Sequence, residues 1–255
     1  MKTSICTLGF GRDTHLANML RGLRQSRRPP GEVVIAVMGD TRYDVPDTSF
    51  PVRQILMGSQ DIPVARARNS AARAAGGEAL IFLDIDCIPH PDLVGDYVAA
   101  MERRRGVFMG EVGHLPRGAA DHSLDFDELE RQAGRHSERP LPPATSERRE
   151  ADNGCFWSLS FAMRAVDFAA TGGFDLNCAD RGDEDADFGR ACASRGIPLW
   201  WLRGAKAYRL HHKLHTPPDG RNGASLSAGG TLGLCQETAY FGLKNRRERS
   251  LAGPP

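Results

Sequence analysis

Apolar residues in the first hundred positions alternate between two spacings. Ser4–Leu8 is a short apolar-rich run closed by the turn Gly9-Phe10-Gly11-Arg12, and it reads as a strand. His15–Gln25 then carries Leu16, Met19, Leu20 and Leu23 at helical spacing until Pro29-Pro30-Gly31 breaks it. Val33–Met38 and Pro51–Met57 predict two further strands. Asp61-Ile62-Pro63 predicts the start of a helix, with Asp as cap and Pro in the first turn, running to Gly76-Gly77. Ala79–Leu83 is a continuous apolar run that predicts a buried strand, followed by an amphipathic helix over Pro91–Arg103. Repeated strand–helix alternation of this kind predicts an α/β fold with a mostly parallel central sheet flanked by helices.

The pattern changes at Gly113–Ala151, which is charged, Pro-rich and poor in apolar residues. It predicts a loop insertion with one short helix around Leu124–Arg131. Strand character returns at Cys155–Met163. A helical turn, the turn Gly172-Gly173-Phe174-Asp175, a helix over Asp183–Arg195 and short strands at Leu199–Leu202 and Ala205–Leu210 follow. Residues 213–255 are dominated by Pro, Gly and Ser and predict a loop-rich, partly disordered tail. The expected organisation is one domain over 1–212. Its first half is 1–110, the insertion is 113–151 and the second half is 152–212.

Composition adds little beyond exclusion. With 40% hydrophobic and 25% charged residues among 255, the chain is of the ordinary globular kind. Thirty-three basic residues against thirty-two acidic ones leave no charge excess to favour nucleic acid. Met1–Leu8 is too short and polar for a signal peptide, and no apolar stretch approaches membrane-spanning length. The expectation is a cytoplasmic protein that is not integral to a membrane. The six cysteines form no Cys-x-x-Cys pair, which fits reduced thiols better than a disulfide framework or a zinc ribbon.

Three clusters carry candidate chemistry. Asp84-Ile85-Asp86 directly follows the buried-strand run. Side chains at i and i+2 of a strand share a face, so both carboxylates would converge, and paired carboxylates need a cation or a shared proton. Oxygen ligands of this kind suit Mg²⁺ or Mn²⁺ with phosphate oxygens; the plainer reading is a turn or cap, where Asp is common. Gly182-Asp183-Glu184-Asp185-Ala186-Asp187 places four acids at a helix start, which the helix dipole favours. A carboxylate there is also placed to act as a general base. His211-His212-Lys213-Leu214-His215 offers imidazoles after a strand, either as metal ligands or as exposed residues. It has no His-Glu-x-x-His spacing of a zinc hydrolase.

In order along the chain stand a first strand with Thr7, an acid after the second strand, Ala67-Arg68-Asn69, Asp84-x-Asp86, Gly172-Gly173-Phe174-Asp175, Glu184-Asp185-x-Asp187 and a late His. Together they resemble family 2-type GT-A glycosyltransferases over residues 2–212. The second half is similar to the galactosyltransferase C-terminal module. The resemblance implies the GT-A (nucleotide-diphospho-sugar transferase) fold and transfer of a hexose from a UDP- or GDP-sugar to an acceptor hydroxyl, with inversion. The acceptor would be a small molecule, a glycan or a lipid-linked sugar. It implies donor-site roles for Thr7, Arg12, Asp40, Arg68, Asp84 and Asp86. Mn²⁺ or Mg²⁺ would be held by Asp86 and Asp84 with His211 or His212. Asp185 would be the base with Glu184 beside it, and Trp157 and Asp183 would face the acceptor. A phosphatase that also uses Asp-x-Asp needs Thr or Ser where this chain has Ile88. The alternatives left open are a catalytically inactive nucleotide- or carbohydrate-binding protein of the same fold and a nucleotidyltransferase.

Overall fold

The run Ala79–Leu83 is a fully buried strand near the middle of an eight-stranded sheet. The structure is a computed structural model that describes residues 1–58, 64–121, 123–136, 141–176 and 184–211. In chain order its elements begin with β1 (Thr3–Gly9), α1 (Asp13–Arg24), β2 (Glu32–Val37), β3 (Val52–Leu56), α2 (Val64–Ala74), β4 (Ala79–Leu83), β5 (Cys87–Pro89), α3 (Leu93–Arg103), β6 (Val107–Met109) and β7 (Val112–His114). They continue with α4 (Phe126–Gln132), β8 (Glu147–Arg149), a 3₁₀ turn at Asn153–Cys155, β9 (Ser160–Arg164), α5 (Ala165–Thr171), α6 (Glu184–Ser194), β10 (Leu199–Leu202) and β11 (Ala207–Arg209).

The main sheet has the order β3-β2-β1-β4-β9-β6-β10-β8. β3, β2, β1 and β4 are parallel, β9 runs antiparallel between β4 and β6, and β8 is antiparallel to β10. The chain builds outward from β1 to β3, then crosses back to lay β4 on the other side of β1. Such a reversal leaves a crevice at the carboxyl ends of β1 and β4, where open α/β sheets bind ligands. Both β1 and β4 are buried along their whole length, because helices cover the two faces, so they read as continuous apolar runs rather than alternating ones.

Aromatic rings fill the centre of the second half. Phe82 stacks on Phe161 at 4.4 Å across the β4–β9 pair, and Phe174 stacks on Phe188 at 4.2 Å, joining the Gly172–Phe174 turn to α6. Cys6, Cys87 and Cys192 are buried thiols, and burial pushes Cys192 up to about 12, which keeps it inert.

Two expectations are corrected. Gly113–Ala151 is more than a loop with a helix. Its start pairs with β11 in a second sheet, β5-β11-β7, and its end supplies β8 to the edge of the main sheet. Leu115, Ala120, Leu124 and Leu129 pack with Ile88 and Tyr208 into a small core of their own. Glu147-Arg148-Arg149 has no apolar alternation to betray a strand. It is held instead by its ladder to Trp200–Leu202 and by Arg148 over the Trp201 ring at 5.8 Å. The strand expected over Cys155–Met163 begins only at Ser160. Asp152 caps the 3₁₀ turn by accepting from the Gly154 N–H at 2.7 Å, and Trp157 then donates its N–H to the Met109 sulfur. That bend breaks the extended run.

The start expected for α2 at Asp61-Ile62-Pro63 and the tail 213–255 lie outside the described residues. No helix among the described residues is long and apolar enough to cross a membrane.

Candidate active site

The crevice between β1 and β4 is shaped by how closely their ends approach. A side chain at Gly9 would collide with Ile85 and come within 2.6 Å of the Tyr43 hydroxyl. Tyr43 donates that hydroxyl to the Gly11 carbonyl at 2.7 Å, which fixes the turn after β1. Gly11 and Arg12 both adopt left-handed backbone conformations, with φ of 57° and 61°. For arginine this conformation is costly and persists only where surrounding structure imposes it. It brings the Arg12 guanidinium within 3.6 Å of Asp86.

Asp84 and Asp86 do not share a face by strand alternation. β4 ends at Leu83, and the Cys87 N–H donates to the Asp84 carbonyl at 2.9 Å, closing Asp84–Cys87 into a turn. The turn still keeps the two carboxylates close enough to repel. Burial, and then Asp86, push the Asp84 carboxyl up to about 6 against the opposing pull of Arg68 and Arg209. Asp86 is 1% exposed and accepts from Arg209 Nε at 3.1 Å. Its carbonyl accepts from the Leu210 N–H at 2.7 Å, so β11 clamps both ends of this residue.

Arg68, carried inward on α2, is fully buried and joins the two halves of the site. One of its nitrogens lies 3.3 Å from Asp84 and the other 4.0 Å from Asp185, with the guanidinium over the Phe174 ring. Its neighbour Asn69 explains the Gly-Gly-Phe motif. Asn69 donates to the Phe174 carbonyl at 2.8 Å and accepts from its N–H at 2.9 Å. A side chain at Gly173, whose φ is 81°, would meet Asn69. Asp185, in the first turn of α6, is nearly buried and accepts from the Ser158 N–H at 3.1 Å.

The structure therefore brings Arg12, Arg68, Asp84, Asp86 and Asp185 together. Thr7 lies on β1, buried, and its hydroxyl has no hydrogen-bond partner among the described residues. One terminal nitrogen on each of Arg12 and Arg68 also makes no hydrogen bond among the described residues, although each faces a carboxylate, Asp86 at 3.6 Å and Asp185 at 4.0 Å. Buried donors in this state are uncommon and point to a ligand or water. Asp40 is not gathered in. It sits exposed beyond β2, with its carboxylate accepting from the Thr41 hydroxyl. Glu184 is half-buried at the start of α6, and His211 is exposed immediately after Leu210. His212 and Asp183 lie outside the described residues.

Sequence reasoning missed Arg209, although a charge within the apolar run Ala207–Leu210 was a usable signal. It also missed Ser158, whose part is played by backbone and leaves no trace in residue type.

Beside this cluster lies a cavity of about 270 Å³. Trp157, Leu159 and Ser160 form one wall, and Glu111, Glu130, Arg135, His136 and Lys206 contribute polar groups. His114 stacks on Trp157 at 6.2 Å and His136 meets its edge at 5.4 Å.

Among the described residues no three His, Cys, Asp or Glu side chains gather into a preformed metal cage. Two adjacent carboxylates, one of them pushed up by burial and then by its neighbour, nevertheless fit a hard divalent ion of the kind held by one or two carboxylates together with substrate phosphate.

Residues 48–141 match the family model described as glycosyl transferase family 2. No curated protein matches the chain by sequence. Among solved structures, S. aureus TarS 1-349 in complex with UDP-GlcNAc superposes with a TM-score of 0.59 at 15% identity, covering 84% of this chain and 59% of that one. S. aureus TarS 1-349 without ligand gives 0.57 at 15% identity, covering 82% and 60%. The chain thus spans about three fifths of the length of these TarS fragments. At such identity the likeness is one of fold, and it extends through both halves of the described chain. The architecture is the GT-A glycosyltransferase fold, and residues 48–141 within it match the family 2 glycosyl transferase model.

Proposed function

We propose that this protein transfers a hexose from a nucleoside-diphosphate sugar, UDP being the first candidate, to an acceptor hydroxyl. The observation that carries the reading is the bridge Asp84–Arg68–Asp185, which links the carboxylates at the β1/β4 crevice to a carboxylate at a helix start. The crevice is where an open α/β sheet takes a nucleotide. The complex of TarS with UDP-GlcNAc makes a uridine nucleotide the natural first probe.

In this scheme the buried donors of Thr7, Arg12 and Arg68 take up polar groups of the donor. Mn²⁺ or Mg²⁺, held by Asp86 and Asp84 with His211 or His212 as a further ligand, would supply Lewis-acid neutralisation of the leaving diphosphate. Asp185 is held in place by the Ser158 N–H and takes the proton from the acceptor hydroxyl as that oxygen attacks the anomeric carbon. Attack opposite the leaving group inverts the configuration. Glu184 orients the sugar beside it, with Asp183 on the acceptor side, and Arg68 keeps the donor and base carboxylates at fixed separation.

The test is calorimetric titration of UDP and GDP in Mn²⁺ and then in EDTA. It is joined by transfer assays on Asp86→Ala and Asp185→Asn. Metal-supported binding of one nucleotide is expected, lost in Asp86→Ala. Asp185→Asn should retain it while transfer stops. Normal transfer by Asp185→Asn would remove the base assignment. Release of pyrophosphate instead of nucleoside diphosphate would mean a nucleotidyltransferase.

A further inference from the structure

Arg209 lies in the crevice but takes no part in the proposed transfer. β11 holds it firmly. Its carbonyl accepts from the Leu115 N–H at 2.9 Å, and the next residue, Leu210, donates its N–H to the Asp86 carbonyl at 2.7 Å. The Arg209 side chain is 10% exposed and donates from Nε to Asp86 Oδ2 at 3.1 Å. Arg12 approaches the same oxygen at 3.6 Å. The other oxygen, Oδ1, faces the Cys87 thiol, a weak donor, at 3.7 Å. Both oxygens of Asp86 are thus engaged, one of them by two guanidiniums.

Charge works against a bare divalent ion at this point. Among the described residues, Arg12, Arg68 and Arg209 meet Asp84, Asp86 and Asp185 in the crevice, three cations for three carboxylates. No negative excess is left to draw in a dication. An ion on Asp86 would also stand beside the Arg209 guanidinium, in a buried place where like charges are poorly screened. A nucleoside diphosphate changes the sum, because its oxygens bring negative charge and further ligands for the ion. Arg12 stands at the mouth with a terminal nitrogen that makes no hydrogen bond among the described residues, and can offer it to the diphosphate. Arg209, fixed on β11, stays on Asp86.

We infer that Arg209 is the resident counter-ion of Asp86 and bars a free divalent ion from the crevice, so that the ion enters only together with a nucleoside diphosphate. The inference rests on the proposed donor site for the nucleotide; the barrier to the free ion is tested without it.

The experiment is electron paramagnetic resonance of Mn²⁺ titrated into the full chain without nucleotide, at pH 8, where Asp84 is ionised. The proteins are wild type, Arg209→Met and Arg209→Lys. Arg209→Met should bind Mn²⁺ at least about tenfold more tightly than wild type, a modest share of the repulsion between a dication and a buried guanidinium. Arg209→Lys keeps the charge and should bind Mn²⁺ as weakly as wild type, a restoration that a purely structural role would not produce. Calorimetry of UDP then reads the coupling. Mn²⁺ should raise the UDP affinity of wild type at least about tenfold, and by linkage UDP raises the Mn²⁺ affinity by the same factor. In Arg209→Met that gain should be smaller.

Equal Mn²⁺ affinity in wild type and Arg209→Met overturns the inference, as does Arg209→Lys behaving like Arg209→Met. If circular dichroism shows that Arg209→Met does not fold, Arg12→Met takes its place. Loss of this second guanidinium should tighten Mn²⁺ binding about threefold or more, and an unchanged affinity overturns the inference. UDP binding that is indifferent to Mn²⁺ also overturns it, and leaves the donor reading standing without a metal. Protein that refuses UDP under every condition, while Arg209→Met gains Mn²⁺, supports Arg209 as the counter-ion and removes the donor reading.

Discussion

Replacing Arg68 by methionine removes the cation between two buried carboxylates while keeping most of the volume. Arg68 is 2% exposed, and the side chains of Asp84 and Asp185 are 13% and 9% exposed, so solvent replaces little of what is lost. Deleting one partner of a buried pair costs about 3–5 kcal/mol when the other stays charged. Asp84 has a way out, because it can take a proton. With Arg68 present its carboxyl sits at about 6, against about 3.9 for a free aspartate. Its folded value is raised, so its contribution to stability is full below about pH 4 and is lost as pH rises through 6.

At pH 8 the wild-type carboxyl is ionised, and protonating it costs about two pH units at 1.36 kcal/mol each, or roughly 3 kcal/mol. That figure caps the Asp84 part of the penalty at pH 8. At pH 5 the group is already protonated and the same part vanishes. Arg68→Met should therefore destabilise the protein by up to about 3 kcal/mol more at pH 8 than at pH 5, or roughly 6–12 °C in Tm for a chain of this size. Thermal denaturation of both proteins in EDTA at the two pH values measures the difference. An equal loss at both would mean that the Asp84 arm of the bridge contributes nothing by charge and would refute the reasoning.

Two further outcomes follow from the supports of the site. A methyl group at Gly189 would run into the Asn153 backbone carbonyl, which cannot swing aside. Gly189→Ala should cost about 1–3 kcal/mol in urea denaturation by lifting α6 from the 3₁₀ turn, and a wild-type midpoint would refute the contact. Asn69→Ala loses both bonds to the Phe174 backbone and should cost about 1–3 kcal/mol. Because that turn packs chiefly on α6 through Phe188 and meets the donor crevice only through the Phe174 ring under Arg68, transfer should fall more than UDP affinity. A parallel loss of both would show that Asn69 acts on the whole site.

Periodicity and breaker residues alone were enough to locate β1 to β4 and α1 to α3 within a few residues, because each buries one consistent pattern against the sheet. Asp84, Asp86 and Asp185 were legible as candidates for the same local reason, being acids placed where an apolar run ends or a helix begins. The ordered series of motifs also pointed to the fold, and to the family whose model matches residues 48–141. What needed the tertiary structure was everything made by pairing distant segments. β8 is three charged residues whose strand state exists only because β10 offers an edge. The turn at Asp84–Cys87 replaces the alternation that a strand would impose, and the carboxylates still meet. Arg209 joins Asp86 across 123 positions, and Asn69 grips a turn 105 positions away. The cavity wall of Glu111, Glu130 and Lys206 draws on three separate stretches. Local spacing encodes which face a residue presents, but not which partner the folded chain brings to that face. The ionisation of Asp84 and the charge of the cavity depend on those partners, and only packing decided them.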